Sequence, residues 1–208
     1  MKRFLIGLMV AAMAAIGFGG VSAFADPSAN WQLASGSAQG SAGIATFNFA
    51  VPDKARLLYN SKDATLLGDK SGSTMIATFT VQDVIGDFTY SGEGTTSNPC
   101  GTPATVRLAF ESIPPGSKFA YTNYWWADVS SAQLVNNLNG SMSVTLTDPS
   151  LWSDWNGTSG ASVPSEFAAA TGNVTEVGLS FGGGCFFENG VGTTDGSGTF
   201  TLDSFGVS

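Results

Sequence analysis

The chain has 208 residues, of which 16 are acidic and eight are basic, and its formal net charge is −8. So acidic a chain lacks the basic surface that nucleic acids and anionic lipids require, and we expect neither as a partner. Histidine is absent, which excludes Ser-His-Asp and Cys-His catalytic arrangements and removes the commonest ligand of transition metals.

The first 25 residues have the features of a bacterial signal peptide. Lys2 and Arg3 precede an apolar stretch from Phe4 to Phe18, and a small-x-small cleavage site ends at Ala25. The apolar stretch is short for a membrane span. We therefore predict a signal peptide over 1–25, a single domain over 26–208 that is not inserted in a membrane, and a secreted or periplasmic location.

The remaining residues are typical of an all-β protein. Runs with an apolar residue at every second position predict strands that bury one face. They lie at 105–110, 141–147, 177–181 and 199–203, and weaker candidates lie at 43–50, 55–60, 74–81 and 118–127. Because turn sequences separate them at short intervals, they favour a two-sheet β-sandwich or a jelly roll over a βαβ fold.

One segment is predicted to be helical. Pro164 suits the first turn, Glu166 complements the amino-terminal end of the helix dipole, and Gly172 can end the helix. The prediction is one short helix near 164–171.

Cys100 and Cys185 are the only cysteines. In an exported protein a pair of cysteines indicates a disulfide bond, and here the pairing would be forced. A shared metal ion is the competing interpretation, but the chain has no histidine and no further cysteine at ligand spacing. We therefore predict a disulfide between Cys100 and Cys185.

The last third of the chain carries a family resemblance. A proline-led helix containing Phe167, the segment Asn173-Val174-Thr175, and a last strand reading Leu202-Asp203-Ser204-Phe205 resemble the end of galactose-binding-like jelly-roll domains. Secreted carbohydrate-binding modules and the laminin B domain end in a similar way. Strings such as Phe181-Gly182-Gly183-Gly184-Cys185 are also similar to secreted bacterial proteins of unknown function. The resemblance implies the fold more than the ligand.

The same resemblance implies a structural calcium ion. In many carbohydrate-binding jelly rolls an aspartate of the last strand is a calcium ligand, and Asp203 matches that position. Asp26 is the one further candidate ligand that the sequence offers, although calcium requires several oxygens. The alternative is that Asp203 only accepts hydrogen bonds at the end of a strand.

Two tryptophan-rich segments are the candidate ligand-binding residues. In the extended segment Tyr124-Trp125-Trp126-Ala127-Asp128, Trp125 must face opposite to Tyr124 and Trp126. An exposed indole beside a carboxylate or amide can stack on a sugar ring while the polar group binds hydroxyls. Trp152 and Trp155 offer the same chemistry beside Asp154 and Asn156. The alternative for each ring is packing in the core.

Catalysis has no distinctive motif. Two carboxylates suffice for glycoside hydrolysis, but none of the candidates stands in a distinctive context; they are Glu111, Asp128, Glu166, Glu176 and Glu188. We therefore expect an exported, non-catalytic binding module with a polysaccharide or glycan as its ligand. The alternative is a structural or adhesive envelope protein that contacts other proteins or itself. The sequence does not determine the oligomeric state.

Overall fold

A computed structural model describes residues 30–35, 38–41, 44–50 and 54–208. The predicted signal peptide and Asp26 lie outside these residues. The described part is mostly β-strand in antiparallel sheets, with one α-helix, α1 (Pro164–Thr171), and three 3-10 helices at Tyr121–Asn123, Pro149–Leu151 and Gly160–Ser162.

The described strands form three sheets, and we number them in chain order. The first sheet has six strands, in the spatial order β1 (Gln32–Ala34), β4 (Leu57–Asn60), β11 (Glu176–Gly182), β7 (Thr105–Glu111), β8 (Tyr124–Gln133) and β10 (Trp152–Asp154). The second has five, in the order β2 (Gln39–Ser41), β3 (Ile44–Asn48), β13 (Thr199–Val207), β5 (Thr74–Gln82) and β9 (Leu138–Thr145). The third pairs β12 (Val191–Thr193) with β6 (Phe88–Tyr90).

The core lies between the six-stranded and five-stranded sheets. Phe181 of the six-stranded sheet packs edge-on against Phe47 and Phe200 of the five-stranded sheet, with ring centroids 5.4 and 5.1 Å apart. Edge-to-face packing at this distance is the geometry that aromatic pairs prefer. The two sheets therefore form a β-sandwich, as the sequence predicts.

The helix and the disulfide are both confirmed. Phe167 of α1 is buried and packs edge-on against Trp125 at 4.9 Å. Cys100 and Cys185 are bonded, with their Cα atoms 5.0 Å apart. Asn98 holds the second cysteine in place, because its Oδ1 accepts a hydrogen bond from the backbone N–H of Cys185 at 2.7 Å.

One strand begins later than predicted and extends further, because β8 runs from Tyr124 to Gln133. The segment 118–127 becomes a strand only at Tyr124, because Tyr121–Asn123 turns as a 3-10 helix. That turn places the carbonyl of Thr122 2.8 Å from the indole nitrogen of Trp125, which donates a hydrogen bond to it. A straight strand could not satisfy this buried donor so close in sequence.

The central strands of the six-stranded sheet are buried on both faces. Every residue of β7 before Glu111 is buried, and so is every residue of β11 after Glu176. By contrast, β5 alternates between buried and half-buried residues, as a strand with one solvated face does. Other parts of the chain must therefore cover the outer face of the six-stranded sheet, and the candidate site lies there.

Candidate functional site

The strand β8 divides its aromatic residues between the two faces of the sheet, as the alternation predicts. Trp125 belongs to the main core, whereas Trp126 packs with Leu57 and Ala109 on the outer face, beside Tyr124. Asp128 also takes part in the outer-face network, where its Oδ1 accepts a hydrogen bond from Ser153 Oγ at 2.7 Å. Three of the predicted binding residues, Tyr124, Trp126 and Asp128, therefore lie on the outer face, where a fourth, Trp155, contacts Tyr124 and Trp126.

Trp125 and Trp152 lie in the core instead. Both are fully buried, and Phe110 packs on both rings. The indole of Trp152 donates to the carbonyl of Thr145 at 2.9 Å, so its polar group is satisfied within the protein. Neither ring has surface left for a ligand, and we exclude both from the candidate site.

A loop between β11 and β12 covers the outer face. Phe187 lies over the guanidinium of Arg107, 3.8 Å from its ring centroid, and Glu188 forms an ion pair with Arg56 at 3.2 Å. The loop approaches the sheet so closely that a Cβ at Gly182 would lie 2.5 Å from the carbonyl oxygen of Phe186. Glycine at 182 and the disulfide at Cys185 thus hold the loop against the sheet.

The loop and the segment after β10 enclose a groove of about 460 Å³, which we call the aromatic groove. Trp155 and Phe186 lie on it with 47% and 51% of their surfaces exposed. Its lining residues are Trp126, Asp154, Trp155, Asn156, Gly157, Cys185, Phe186, Phe187, Glu188 and Asn189. The groove therefore combines aromatic rings with carboxylate and amide groups.

Trp155 is held in place by contacts with two neighbouring aromatic rings and by the backbone turn that follows it. Its ring contacts Trp126 and Tyr124, with centroids 5.6 and 5.2 Å apart. The turn that follows is fixed by buried Asp154, whose Oδ1 accepts hydrogen bonds from the backbone N–H groups of Asn156 and Thr158 at 2.9 and 2.8 Å. The exposed face of Trp155 is therefore presented on a fixed support.

Three glutamates meet beside the groove, and we call them the carboxylate cluster. Glu111 of β7 and Glu176 of β11 are directly opposite each other in the sheet, and Glu188 comes from the covering loop. All three line one small cavity of about 10 Å³ together with Trp126. Trp126 is only 5% exposed, and its indole N–H has no acceptor among the described residues.

Burial makes the carboxylate cluster easy to protonate. Desolvation, followed by the repulsion of neighbouring glutamates, raises the pKa of Glu111 to about 7 and that of Glu176 to about 8. Desolvation also raises the pKa of Glu188 to about 7, against the lowering effect of Arg56. At neutral pH the cluster therefore holds protons that ordinary glutamates would have released.

These raised pKa values predict that the protein loses stability as the pH rises. Between the ordinary glutamate value of 4.5 and about 8, the folded cluster binds more protons than the unfolded chain does, so the free energy of unfolding falls. We expect a loss of at least about 2 kcal/mol, since one pKa unit corresponds to about 1.4 kcal/mol. Thermal unfolding across this range should show the midpoint falling by about 4–8 °C.

Two variants check the origin of that slope. Glu176→Gln should flatten it, because the amide has no proton to lose. The matched change Glu166→Gln, at an exposed position on α1, should leave the slope as in the original chain. An unaltered slope in Glu176→Gln would show that the cluster is not its source.

The carboxylate cluster and the covering loop are not among the predicted sites. In the sequence, Glu111, Glu176 and Glu188 are carboxylates without a distinctive context, and Phe186 and Phe187 have no predicted role. The one signal available was that Glu111 ends one alternating run and Glu176 begins another, which would place them together only if the two strands pair antiparallel.

Asp203, the predicted calcium ligand, lies in the middle of the last strand, β13. Asp203 is exposed at a bulge in β13, between Leu202 and Ser204. Within the described part of the chain, no group of three or more His, Cys, Asp or Glu residues could hold a metal ion. Asp26 lies outside that part, so the calcium site stays a prediction.

The described residues also include no helix long and apolar enough to cross a bilayer.

Comparison with protein-family models, with curated proteins and with solved structures gave no match. The resemblance to galactose-binding-like jelly rolls therefore stays a prediction.

Proposed function

We propose that the protein is an exported, non-catalytic module that binds carbohydrate in the aromatic groove. The half-exposed ring of Trp155 on a groove of about 460 Å³ carries this proposal. An indole of this kind can stack on the apolar face of a pyranose, and nearby polar groups can bind its hydroxyls. Asn156, Glu188 and Asn189 supply such groups in the same groove.

The fixed position of the groove supports the same proposal. The disulfide and Gly182 hold one wall, and the hydrogen bonds of Asp154 hold the other. When the ligand binds to a preformed site, little free energy is lost in ordering the side chains of the site. Such a site suits a small, rigid ligand such as a sugar ring.

We also infer a jelly-roll topology and an exported location. The successive strands β3, β4 and β5 alternate between the two large sheets, and the last strand, β13, lies inside its sheet between β3 and β5. These features suit two-sheet jelly rolls. A disulfide between Cys100 and Cys185 is compatible with an oxidising compartment outside the cytoplasm.

The test is a glycan array followed by calorimetry on the best ligand. Trp155→Ala should weaken binding at least about tenfold, because a stacked tryptophan is commonly a dominant contact. Ile85→Ala is the control, since Ile85 is exposed but is not among the groove residues. Equal affinity of Trp155→Ala and the original chain would rule out the groove as the binding site.

An adhesive role is the second candidate, because the exposed aromatic surface extends beyond the groove. Phe119 contacts both Tyr121 and Trp155, with centroids 5.4 and 5.8 Å apart, and Phe119 and Tyr121 are more than half exposed. Exposed aromatic patches are also typical of protein interfaces. Self-association in sedimentation that Phe119→Ser abolishes, with no saccharide binding, would favour this role.

A further inference from the structure

We propose that the site selects sugars with a free amine, and that Glu111, Glu176 and Glu188 bind the ammonium group. This inference rests on the proposed carbohydrate-binding function and names its ligand class: a 2-amino sugar that is not acetylated.

The cavity of the carboxylate cluster has the size of one small polar group. Its volume of about 10 Å³ is close to the smallest space that holds a water molecule, and an ammonium group is of similar size. A primary ammonium has three donors and no acceptor. Glu111, Glu176 and Glu188 line the cavity, one from each of three segments, and an ionised carboxylate only accepts hydrogen bonds.

The same carboxylates do not fit a metal ion. Among the described residues, no group of three or more His, Cys, Asp or Glu residues could hold a metal ion. Metal–oxygen bonds are about 2.0–2.6 Å long, whereas charge-assisted N–H···O bonds are about 2.7–2.9 Å between heavy atoms. An ammonium group therefore sets a looser requirement on the spacing of the carboxylates than a metal ion does.

The charges around the cavity favour a cation. Glu188 forms an ion pair with Arg56, whereas no described basic residue forms one with Glu111 or Glu176. Arg107 donates to the carbonyl of Ala127 and is paired electrostatically with Asp128, so it does not neutralise the cluster. The other groups that act electrostatically with the cluster are Tyr59 and Tyr124, whose pKa values are raised. Glu111 and Glu176 are thus left for a cationic ligand.

Trp126 supplies a second, independent indication of a ligand. Its buried indole N–H has no acceptor among the described residues, and a donor left in this state costs about 1–3 kcal/mol. A 2-amino sugar has a hydroxyl oxygen on the carbon next to the amine, which can accept this hydrogen bond. The face of the indole also attracts cations.

The cavity and the aromatic groove share two lining residues, Trp126 and Glu188. A sugar stacked on Trp155 can therefore direct a substituent towards the cluster, while the other units of the oligosaccharide lie along the groove. This connection is why we assign the ammonium to a sugar and not to a small free amine.

The experiment compares three oligosaccharides of equal length by calorimetry: β-1,4-linked glucosamine, its N-acetylated form, and the corresponding glucose oligomer. We expect the free-amine oligomer to bind at least about tenfold more tightly than the other two. At a pH low enough for the sugar amine to be an ammonium before it binds, its binding should also release protons, seen as a dependence of the heat on buffer ionisation, because the ammonium replaces protons held by the cluster.

Glu176→Gln should remove most of this preference while the affinity for the glucose oligomer stays the same. Glu166→Gln, at an exposed position on α1, is the matched control and should change neither. Equal binding of the amine and N-acetyl forms, or a preference that survives Glu176→Gln, would overturn the inference while leaving carbohydrate binding in place. Failure of all three oligomers to bind would overturn the proposed function itself.

A final arm separates a sugar amine from a lysine side chain, which carries the same ammonium. Lysine amide should compete with the glucosamine oligomer only at concentrations at least about tenfold higher, because it does not occupy the groove. Competition at equal concentration would overturn the assignment to a sugar and would leave an ammonium site for a protein lysine.

Discussion

The double variant Cys100→Ser/Cys185→Ser is expected to lose about 4 kcal/mol of its free energy of unfolding. The bond joins positions separated by 85 residues, and opening so long a loop returns a large conformational entropy to the unfolded chain. Urea denaturation should show a lower midpoint and a steeper slope for the variant than for the oxidised protein, because the unfolded chain without the bond is less compact and exposes more surface. Equal midpoints would mean that the bond constrains little in the unfolded state.

The same variant should lose ligand affinity by more than its lower stability explains. Cys185 begins the stretch in which Phe186, Phe187 and Glu188 line the aromatic groove, and without the bond this stretch is held only by weaker contacts. Hydrogen exchange of the backbone amides of residues 186–189 should accelerate at temperatures where the core remains protected. The original protein under reducing conditions is the control for the substitutions themselves, and both samples should behave alike.

The fold was predictable where the pattern is local. Alternation with period two located β7, β9, β11 and β13, and proline and glycine marked both ends of α1. The disulfide was predictable because only one pairing exists. Shorter strands such as β6 and β12, of three residues each, were not predicted, since so few residues cannot establish a period.

The candidate site was predictable only in part, because alternation gives opposite faces without saying which face is buried. It separated Trp125 from Trp126 correctly, but the two layers of the sandwich decided that Trp125 entered the core. The carboxylate cluster depends on pairing between β7 and β11, which lie far apart in the chain. Nothing near Glu111 or Glu176 in the sequence indicates that pairing or its register.

The burial of both faces of the six-stranded sheet bears on its stability and on its proposed function. A sheet covered on its inner face by a core can leave the outer face to water, yet here that face carries Trp126, Arg107 and two glutamates under a loop. Burying carboxylates there works against stability as the pH rises, and an unpaired indole donor adds a further cost. The proposed ligand site would account for these groups, which work against the stability of the folded protein.

Truncation of Trp152 and truncation of Trp155 should change the free energy of unfolding by very different amounts. Trp152→Ala is expected to lower the free energy of unfolding by about 4 kcal/mol, because the fully buried indole leaves a cavity beside Phe110 and Phe167. Trp155→Ala should change it by less than about 1 kcal/mol, since nearly half of that ring is already exposed. Denaturant unfolding of both variants measures the difference.

Binding measurements complete the comparison. Trp155→Ala should lose carbohydrate affinity at full stability, whereas Trp152→Ala, assayed at a temperature where it remains folded, should keep it. Trp152 and Trp155 are three residues apart in sequence, so the two variants have the same composition and similar neighbouring charges. If Trp152→Ala loses affinity while folded and Trp155→Ala keeps it, the ligand does not bind on the outer face of the six-stranded sheet, and the aromatic groove loses its proposed role.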